Sequence, residues 1–159
     1  MMKITTPVLV KGKKPAQLYD YMIHMNAERA KKWHSAHARG THWHKHKEST
    51  DILKVGDVVQ FEEEISDLKI NYKWTIKRLE RPKLFLMKVK FPYPIYLQLS
   101  FLPTNGGTEV THELRIGFKF LGLQNLFDWV MSKTRFTPQR IKAIKQHARE
   151  EFKNLEKLA

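Results

Sequence analysis

Cysteine is absent from the 159 residues, so neither disulfide bonds nor thiol chemistry can contribute to this protein. Long hydrophobic runs are also missing: the apolar stretches span only a few residues, far short of the ~20 that cross a bilayer. Residues 1–15 lack the sustained apolar core of a signal peptide. No signature of a nucleotide fold, a phosphate-binding loop or a Ser/His/Asp nucleophilic site is present. We therefore expect a soluble cytoplasmic protein without a membrane span.

Acidic residues are few: 16 Asp and Glu face 29 Lys and Arg, which gives a formal net charge of +13. A basic surface can bind nucleic acid or anionic lipid. Here the cations are spread along the chain, without a nucleic-acid-binding motif or the aromatic and basic pattern of an RNA-binding sheet. We interpret them as a solvated surface and do not expect nucleic acid as a partner. The alternative is a basic adaptor for acidic macromolecules, and the sequence sets no oligomeric state.

The 42% hydrophobic and 11% aromatic content is typical of a globular protein, and the length suits one domain spanning residues 1–159. Periodicity predicts a first strand at residues 3–10 and two short helices at residues 15–25 and 27–34, the second with Asn26 as its N-cap. Further strands are expected at residues 55–66, 68–80, 83–91, 95–102 and 108–118, with a hairpin turn at residues 105–107. A short apolar helix is expected within residues 121–136.

The clearest helix is the last one, at residues 137–159, with Thr137 as its N-cap and Pro138 at its first position. Six apolar residues recur on one side at helical spacing: Ile141, Ile144, Ala148, Phe152, Leu155 and Leu158. Polar and basic residues fall largely on the other side: Gln139, Lys142, Lys145, Arg149 and Lys153. His147 and Glu151 interrupt the apolar side, and their i, i+4 spacing lets the two side chains meet.

These elements predict an α+β fold in which a curved antiparallel sheet wraps around the long C-terminal helix, with two short helices after the first strand. Such a sheet leaves room for a cavity between itself and the helix. Alternation along the strands and the helix predicts an apolar pocket with these lining residues: Phe61, Tyr72, Trp74, Met87, Leu99 and Ile144. The pocket suits a small apolar or aromatic ligand.

Ionisable residues fall on the same inner face. Glu63 lies between Phe61 and Ile65, and His112 lies on an apolar strand face. Such groups are costly to bury unless they pair with each other, a metal or a ligand, and both are candidates for a general acid or base. Three alternatives stay open: His147 and Glu151 as an ordinary surface pair, Glu63 turned outward by a β-bulge, and His112 as a hydrogen-bonded pocket residue.

Five of the eight histidines crowd into residues 34–46: His34, His37, His42, His44 and His46. The last three alternate and could chelate a metal from one strand face. Because Lys45 and Lys47 lie among and beside them, we interpret this row as a solvated strand face.

Several stretches resemble the helix-grip fold of the START-like, Bet v 1-like (SRPBCC) superfamily. They are VGD at residues 55–57, KWTIKRLERPKLFLM at 73–87, NGGTEVTHEL at 105–114 and FKNLEKL at 152–158. The superfamily includes lipid carriers, polyketide cyclases and other ligand binders, so the resemblance implies an internal hydrophobic cavity but no particular reaction.

A narrower resemblance is to the zinc-dependent diacetylphloroglucinol hydrolase branch, which cleaves a carbon–carbon bond in an acylated phenol. It rests on WHSAH at residues 33–37, EEEI at 62–65 and HAREE at 147–151. It implies a zinc ion held by four ligands: His37 or His34, Glu63, His147 and Glu151. The function expected from it is a metal-dependent hydrolase of an aromatic or polyketide-like compound. The alternative is a metal-free binder or carrier of a hydrophobic ligand such as a lipid or polyketide.

Overall fold

The computed structural model describes residues 1–34, 42–44, 52–90, 93–117 and 124–159, and for residues 27, 42–44, 61–64, 90 and 124 it describes the backbone only. The elements in chain order are β1 (Met2–Lys11), α1 (Pro15–Ile23), α2 (Ala27–Trp33), β2 (His42–His44), β3 (Val58–Ile65), β4 (Leu68–Glu80), β5 (Leu84–Lys90), β6 (Pro94–Thr104), β7 (Gly107–Ile116), α3 (Gln124–Thr134) and α4 (Pro138–Leu158). The predicted strands and helices are confirmed within a few residues at their ends.

The described strands form one antiparallel sheet in the order β1-β7-β6-β5-β4-β3-β2. Each strand from β3 to β7 pairs with its neighbour in sequence, while β1 returns to pair with β7. The helix α4 packs against β1, β3 and α2. The predicted α+β helix-grip architecture is therefore confirmed.

Alternation along the strands separates an inner apolar face from an outer polar one. On β4, Trp74 and Ile76 are buried and Lys69 and Lys73 are exposed, as the period of two predicts. On α4, the buried residues are Ile144, His147, Ala148, Glu151, Phe152 and Leu155. The inner sheet face and this helix stripe cover each other and form the core.

One predicted boundary is wrong. The strand β3 begins at Val58 and not at Val55, because residues 54–57 form a hydrogen-bonded turn. The Asp57 carboxylate accepts a hydrogen bond from the Lys54 N–H at 2.8 Å, and the Asp57 N–H donates to the Lys54 carbonyl oxygen at 3.1 Å. The turn is also joined to β4, because the Gly56 N–H donates to the Ile76 carbonyl oxygen and the Ile76 N–H donates to the Asp57 carbonyl oxygen, both at 2.9 Å. The regular strand register begins after it, at Val58 and Thr75.

Among the glycines that the structure describes, Gly107 at the β6–β7 hairpin has the least room for a side chain. Its φ is +147°, and a Cβ built there would lie 2.1 Å from the Val10 carbonyl oxygen on β1. We expect Gly107→Ala to lower the free energy of unfolding by about 1–3 kcal/mol from backbone strain alone, with a further cost from the clash. Gly106→Ala is the matched control, since a Cβ there meets nothing within 4 Å. Equal urea-unfolding midpoints for the two variants would contradict this account.

Candidate functional site

A pocket of about 150 Å³ lies between the inner sheet face and α4. Its wall is mostly apolar and includes five of the six residues predicted from the sequence: Tyr72, Trp74, Met87, Leu99 and Ile144. The side chain of the sixth, Phe61, lies outside the described part of the structure. Any role of these residues in binding stays a prediction.

One part of the pocket wall is polar and consists of His112 from β7 and His147 and Glu151 from α4. All three are buried, with exposed fractions of 8%, 9% and 6%. The His147 Nε2 lies 3.2 Å from the Glu151 Oε1, as their i, i+4 spacing predicts. The side chains are therefore inside the molecule, and the alternative of an ordinary surface pair is wrong.

The helix α2 is fastened to α4 next to this pair. The Trp33 Nε1–H donates a hydrogen bond to the Glu151 carbonyl oxygen at 2.8 Å, and the Asn154 side chain donates to the Trp33 carbonyl oxygen at 3.0 Å. The Trp33 ring also packs edge-on against Phe152, with 5.7 Å between centroids. Because Trp33 is held in this way, the next residue, His34, is brought to α4.

His34 lies beside His147, with their ring centroids 4.5 Å apart and their planes inclined at 71°. The His34 Nε2 also lies 3.4 Å from the Glu150 Oε2. A side-chain hydrogen bond from Gln146, and then the bond and charge of His34, hold the pKa of the Glu150 carboxyl below its ordinary value. Two histidines and two carboxylates thus meet along one side of α4.

His112 has a pKa below the ordinary value for histidine. Burial is the main cause, because it disfavours the charged imidazolium; the His147 charge acts in the same direction and the Glu151 charge opposes it. Within the described residues, the buried Nδ1 of His112 has no hydrogen-bond partner. A neutral His112 can accept a hydrogen bond or a proton from a ligand in the pocket.

This depressed pKa links folding to pH. The unfolded chain takes up a proton at His112 near pH 6.5 and the folded chain only at lower pH, so stability falls as the pH drops below about 6.5. We expect the free energy of unfolding of the wild type, minus that of His112→Leu, to fall by up to about 1.4 kcal/mol for each pH unit below that point, because only the wild type carries the histidine. Urea unfolding from pH 8 to pH 5 measures this difference, and parallel curves for the two proteins would contradict it.

The metal-ligand prediction concerns five residues, of which the structure describes three side chains. His34, His147 and Glu151 lie together, and imidazole nitrogens and carboxylate oxygens are ligands that zinc accepts. However, the described part of the chain contains no group of three or more His, Asp or Glu residues placed to hold a metal ion. His37 lies outside the described residues, and Glu63 is described only by its backbone, which pairs with Ile70 on β4. The described residues alone do not form a metal site.

Several pocket residues were not predicted from the sequence, among them Trp33, Tyr93, Arg135 and Phe136. Burial is the main cause that raises the pKa of Tyr93; a Tyr72 charge acts in the same direction and the Arg135 charge opposes it. Arg135 and Phe136 lie in the link between α3 and α4, where periodicity carries no signal. For Trp33, the amphipathic pattern of α2 was the one available signal.

Arg140 fixes this link to the sheet. Its Nε and Nη2 atoms donate hydrogen bonds to the Asp67 carboxylate at 3.1 and 2.5 Å, and its Nη1 donates to the carbonyl oxygens of Thr134 and Arg135 at 3.1 and 3.3 Å. The bond from Arg140 is the main cause that lowers the pKa of Asp67. The turn between β3 and β4 and the start of α4 are thereby held together, and both adjoin residues that line the pocket.

Comparison with known proteins supports the fold. No protein-family model and no curated protein matches the sequence. Among solved structures, ginseng major latex-like protein 151 from Panax ginseng is similar with a TM-score of 0.66 and 13% identity over 99% of this chain and 96% of that one. Ara h 8.0201 is similar with a TM-score of 0.64 and 12% identity over 99% and 96%. A Staphylococcus aureus protein of unknown function, SA2116, has a TM-score of 0.66 and 13% identity over 99% and 94%. At this identity the similarity shows a shared helix-grip, Bet v 1-like fold.

No helix in the described ranges combines the length and hydrophobicity needed to cross a bilayer.

Proposed function

We propose that the pocket binds a small aromatic molecule whose polar group lies against His112, His147 and Glu151. The observation that carries this proposal is the placement of three buried ionisable side chains in one part of a mostly apolar wall. Buried polar groups cost free energy, and a ligand that hydrogen-bonds to them offsets that cost. In such a pocket the apolar wall binds the ring of the ligand, and the few polar groups fix its orientation.

The size of the pocket narrows the ligand class. A volume of about 150 Å³ is well below the roughly 300–1,000 Å³ typical of drug-sized ligands. Apolar cavities of about 150 Å³ take one benzene-sized molecule. The volume therefore favours a single-ring compound over a lipid or an extended polyketide. The rings of Tyr72 and Trp74 offer aromatic surface for such a ligand.

The polar wall favours a phenol or an aromatic ketone. A carboxylate at Glu151 accepts a hydrogen bond from a phenolic hydroxyl, and a histidine N–H donates one to a carbonyl oxygen. Neutral His112, with its lowered pKa, is a candidate to accept a proton from the bound molecule. Glu63 remains a second candidate for acid or base chemistry by its predicted position on the inner face of β3.

Calorimetric titration with phenol and 4-hydroxyacetophenone tests this function. We expect one ligand per chain in the wild type, and at least tenfold weaker binding by Ile144→Phe, because the larger side chain fills space in the pocket. Leu102→Phe is the matched control: Leu102 is 61% exposed and does not line the pocket, so its substitution is expected to leave affinity unchanged. Absence of binding at millimolar ligand, or equal binding by both variants, would refute the proposal.

A second candidate function is a zinc-dependent hydrolase that acts on an acylated phenol in the same pocket. It is favoured by the contact of His147 with Glu151 at 3.2 Å and by the His34 ring beside His147. A bound zinc ion would polarise a substrate carbonyl and lower the pKa of a coordinated water. Its complete four-ligand set would require Glu63 in addition, with His37 as the alternative to His34.

Elemental analysis of tag-free protein, wild type and Glu151→Ala, tests the metal. About one zinc per chain in the wild type and none in the variant is the result expected for a hydrolase of this type. Wild-type protein that cannot be loaded with zinc would exclude the zinc-dependent hydrolase. The proposal of a metal-free ligand binder would be unaffected, because the calorimetric titration tests it separately.

A further inference from the structure

The exposed side of α4 carries five cations in a row. They are Lys142, Lys145, Arg149, Lys153 and Lys157, and we call them the α4 basic stripe. Four are exposed and Lys145 is half-buried. At about 100° per residue they fall within an arc of about 120°, and at 1.5 Å per residue they extend for about 22 Å. The folded helix thus concentrates charge that is spread out along the sequence.

No member of the α4 basic stripe forms an ion pair with another residue in the described part of the chain. The neighbouring carboxylates have other partners: Glu150 contacts Gln146 and His34, and Glu156 accepts a hydrogen bond from the Lys11 N–H at 3.0 Å. On α2, by contrast, Lys32 pairs with Glu28 at i, i+4. Like charges at i, i+3 or i, i+4 repel each other and destabilise a helix. Because these cations have no ion-pair partner in the described chain, an anionic partner would relieve that repulsion.

The burial of the apolar side of α4 indicates which polyanion fits. A helix that binds a membrane surface inserts its apolar side between the lipids. Here that side is covered by the sheet: Phe152 and Leu155 are 0% exposed and Ile144 is 5% exposed. Of the apolar residues on that side, Ile141 near the N-terminal end is half-buried and Leu158 at the C-terminal end is 36% exposed. The stripe therefore offers charge without an apolar anchor, which suits a phosphate backbone better than a bilayer.

We propose that the α4 basic stripe binds the phosphate backbone of nucleic acid. Four of its five cations are lysines, which act as point charges for phosphate and carry little base specificity. Its length of about 22 Å corresponds to about six base pairs of duplex at 3.4 Å each. This site is independent of the ligand pocket. It reverses the expectation from the sequence, where dispersed cations without a motif argued against nucleic acid.

Fluorescence anisotropy with a labelled 20-nucleotide single-stranded RNA, and with a 20-base-pair DNA duplex, tests the proposal. Five phosphate contacts give a salt slope of about −3.5 for a single strand, which means about 130-fold weaker binding at 200 mM than at 50 mM salt. The triple variant K145Q/R149Q/K153Q keeps two of the five cations, so it is expected to reduce that salt dependence to about sevenfold and to bind at least tenfold more weakly at 50 mM salt.

The control variant K73Q/K77Q/K83Q removes three exposed cations elsewhere and lowers the net charge of +13 by the same amount. It is expected to retain most of the affinity. Equal losses in the two variants would overturn the stripe as the site, because net charge alone would then explain binding. No binding of either nucleic acid at 50 mM salt would also overturn it. So would binding only to vesicles that contain phosphatidylserine.

Discussion

Replacing Phe152 with alanine is expected to lower the free energy of unfolding by about 3–5 kcal/mol. Phe152 is fully buried, packs edge-on against Trp33 and lies 6.2 Å from the His112 ring, centroid to centroid. Its removal leaves a void where α2, α4 and β7 meet, and tight packing prevents full collapse into it. Urea unfolding measures the loss.

Lys153→Ala is the control for this prediction, because it is the next residue on the same helix and is exposed. Its effect is expected to stay within about 0.5 kcal/mol. If the two variants differ by less than about 1 kcal/mol, the junction of α2 with α4 does not carry the stability assigned to it here.

The second large effect concerns the buried pair His147 and Glu151. We expect the double variant H147L/E151L to be as stable as the wild type or up to about 4 kcal/mol more stable, since apolar residues often replace a buried pair without loss. Each single substitution is expected to cost about 1–3 kcal/mol, because one buried polar group then loses the contact with its partner. The double variant should nevertheless bind 4-hydroxyacetophenone at least tenfold more weakly.

Stability from urea unfolding and affinity from calorimetry, measured on the same four proteins, separate the two roles of this pair. Opposite changes in stability and affinity mean that the pair is kept for the ligand. A double variant that is less stable than either single variant, with unchanged affinity, would make the pair a structural feature only.

The sequence predicted the parts of the pocket that follow from local periodicity. Alternation along β4 was sufficient to place Tyr72 and Trp74 on the inner face, and helical spacing was sufficient to bring His147 to Glu151. These patterns depend on neighbours within one element. They also fixed the architecture, because amphipathic strands and one long amphipathic helix have few ways to cover each other.

The parts of the site that periodicity did not predict depend on contacts between elements. His34 lies beside His147 because the Trp33 indole bonds to the Glu151 carbonyl oxygen, a contact across 118 residues that no local pattern encodes. Arg135 joins the pocket wall through the link held by Arg140. The α4 basic stripe was visible in the sequence, but its lack of ion-pair partners within the described chain became apparent only from the fold.

Methyl NMR during a titration with 4-hydroxyacetophenone shows whether a ligand enters the pocket, because it reports where the ligand binds. We expect saturable shifts at the pocket methyl groups of Ile95, Leu99, Ile116 and Ile144 with one ligand per chain. Shifts confined to the exposed side chains of Leu102, Leu126 and Val130, or no shifts at all, would contradict it.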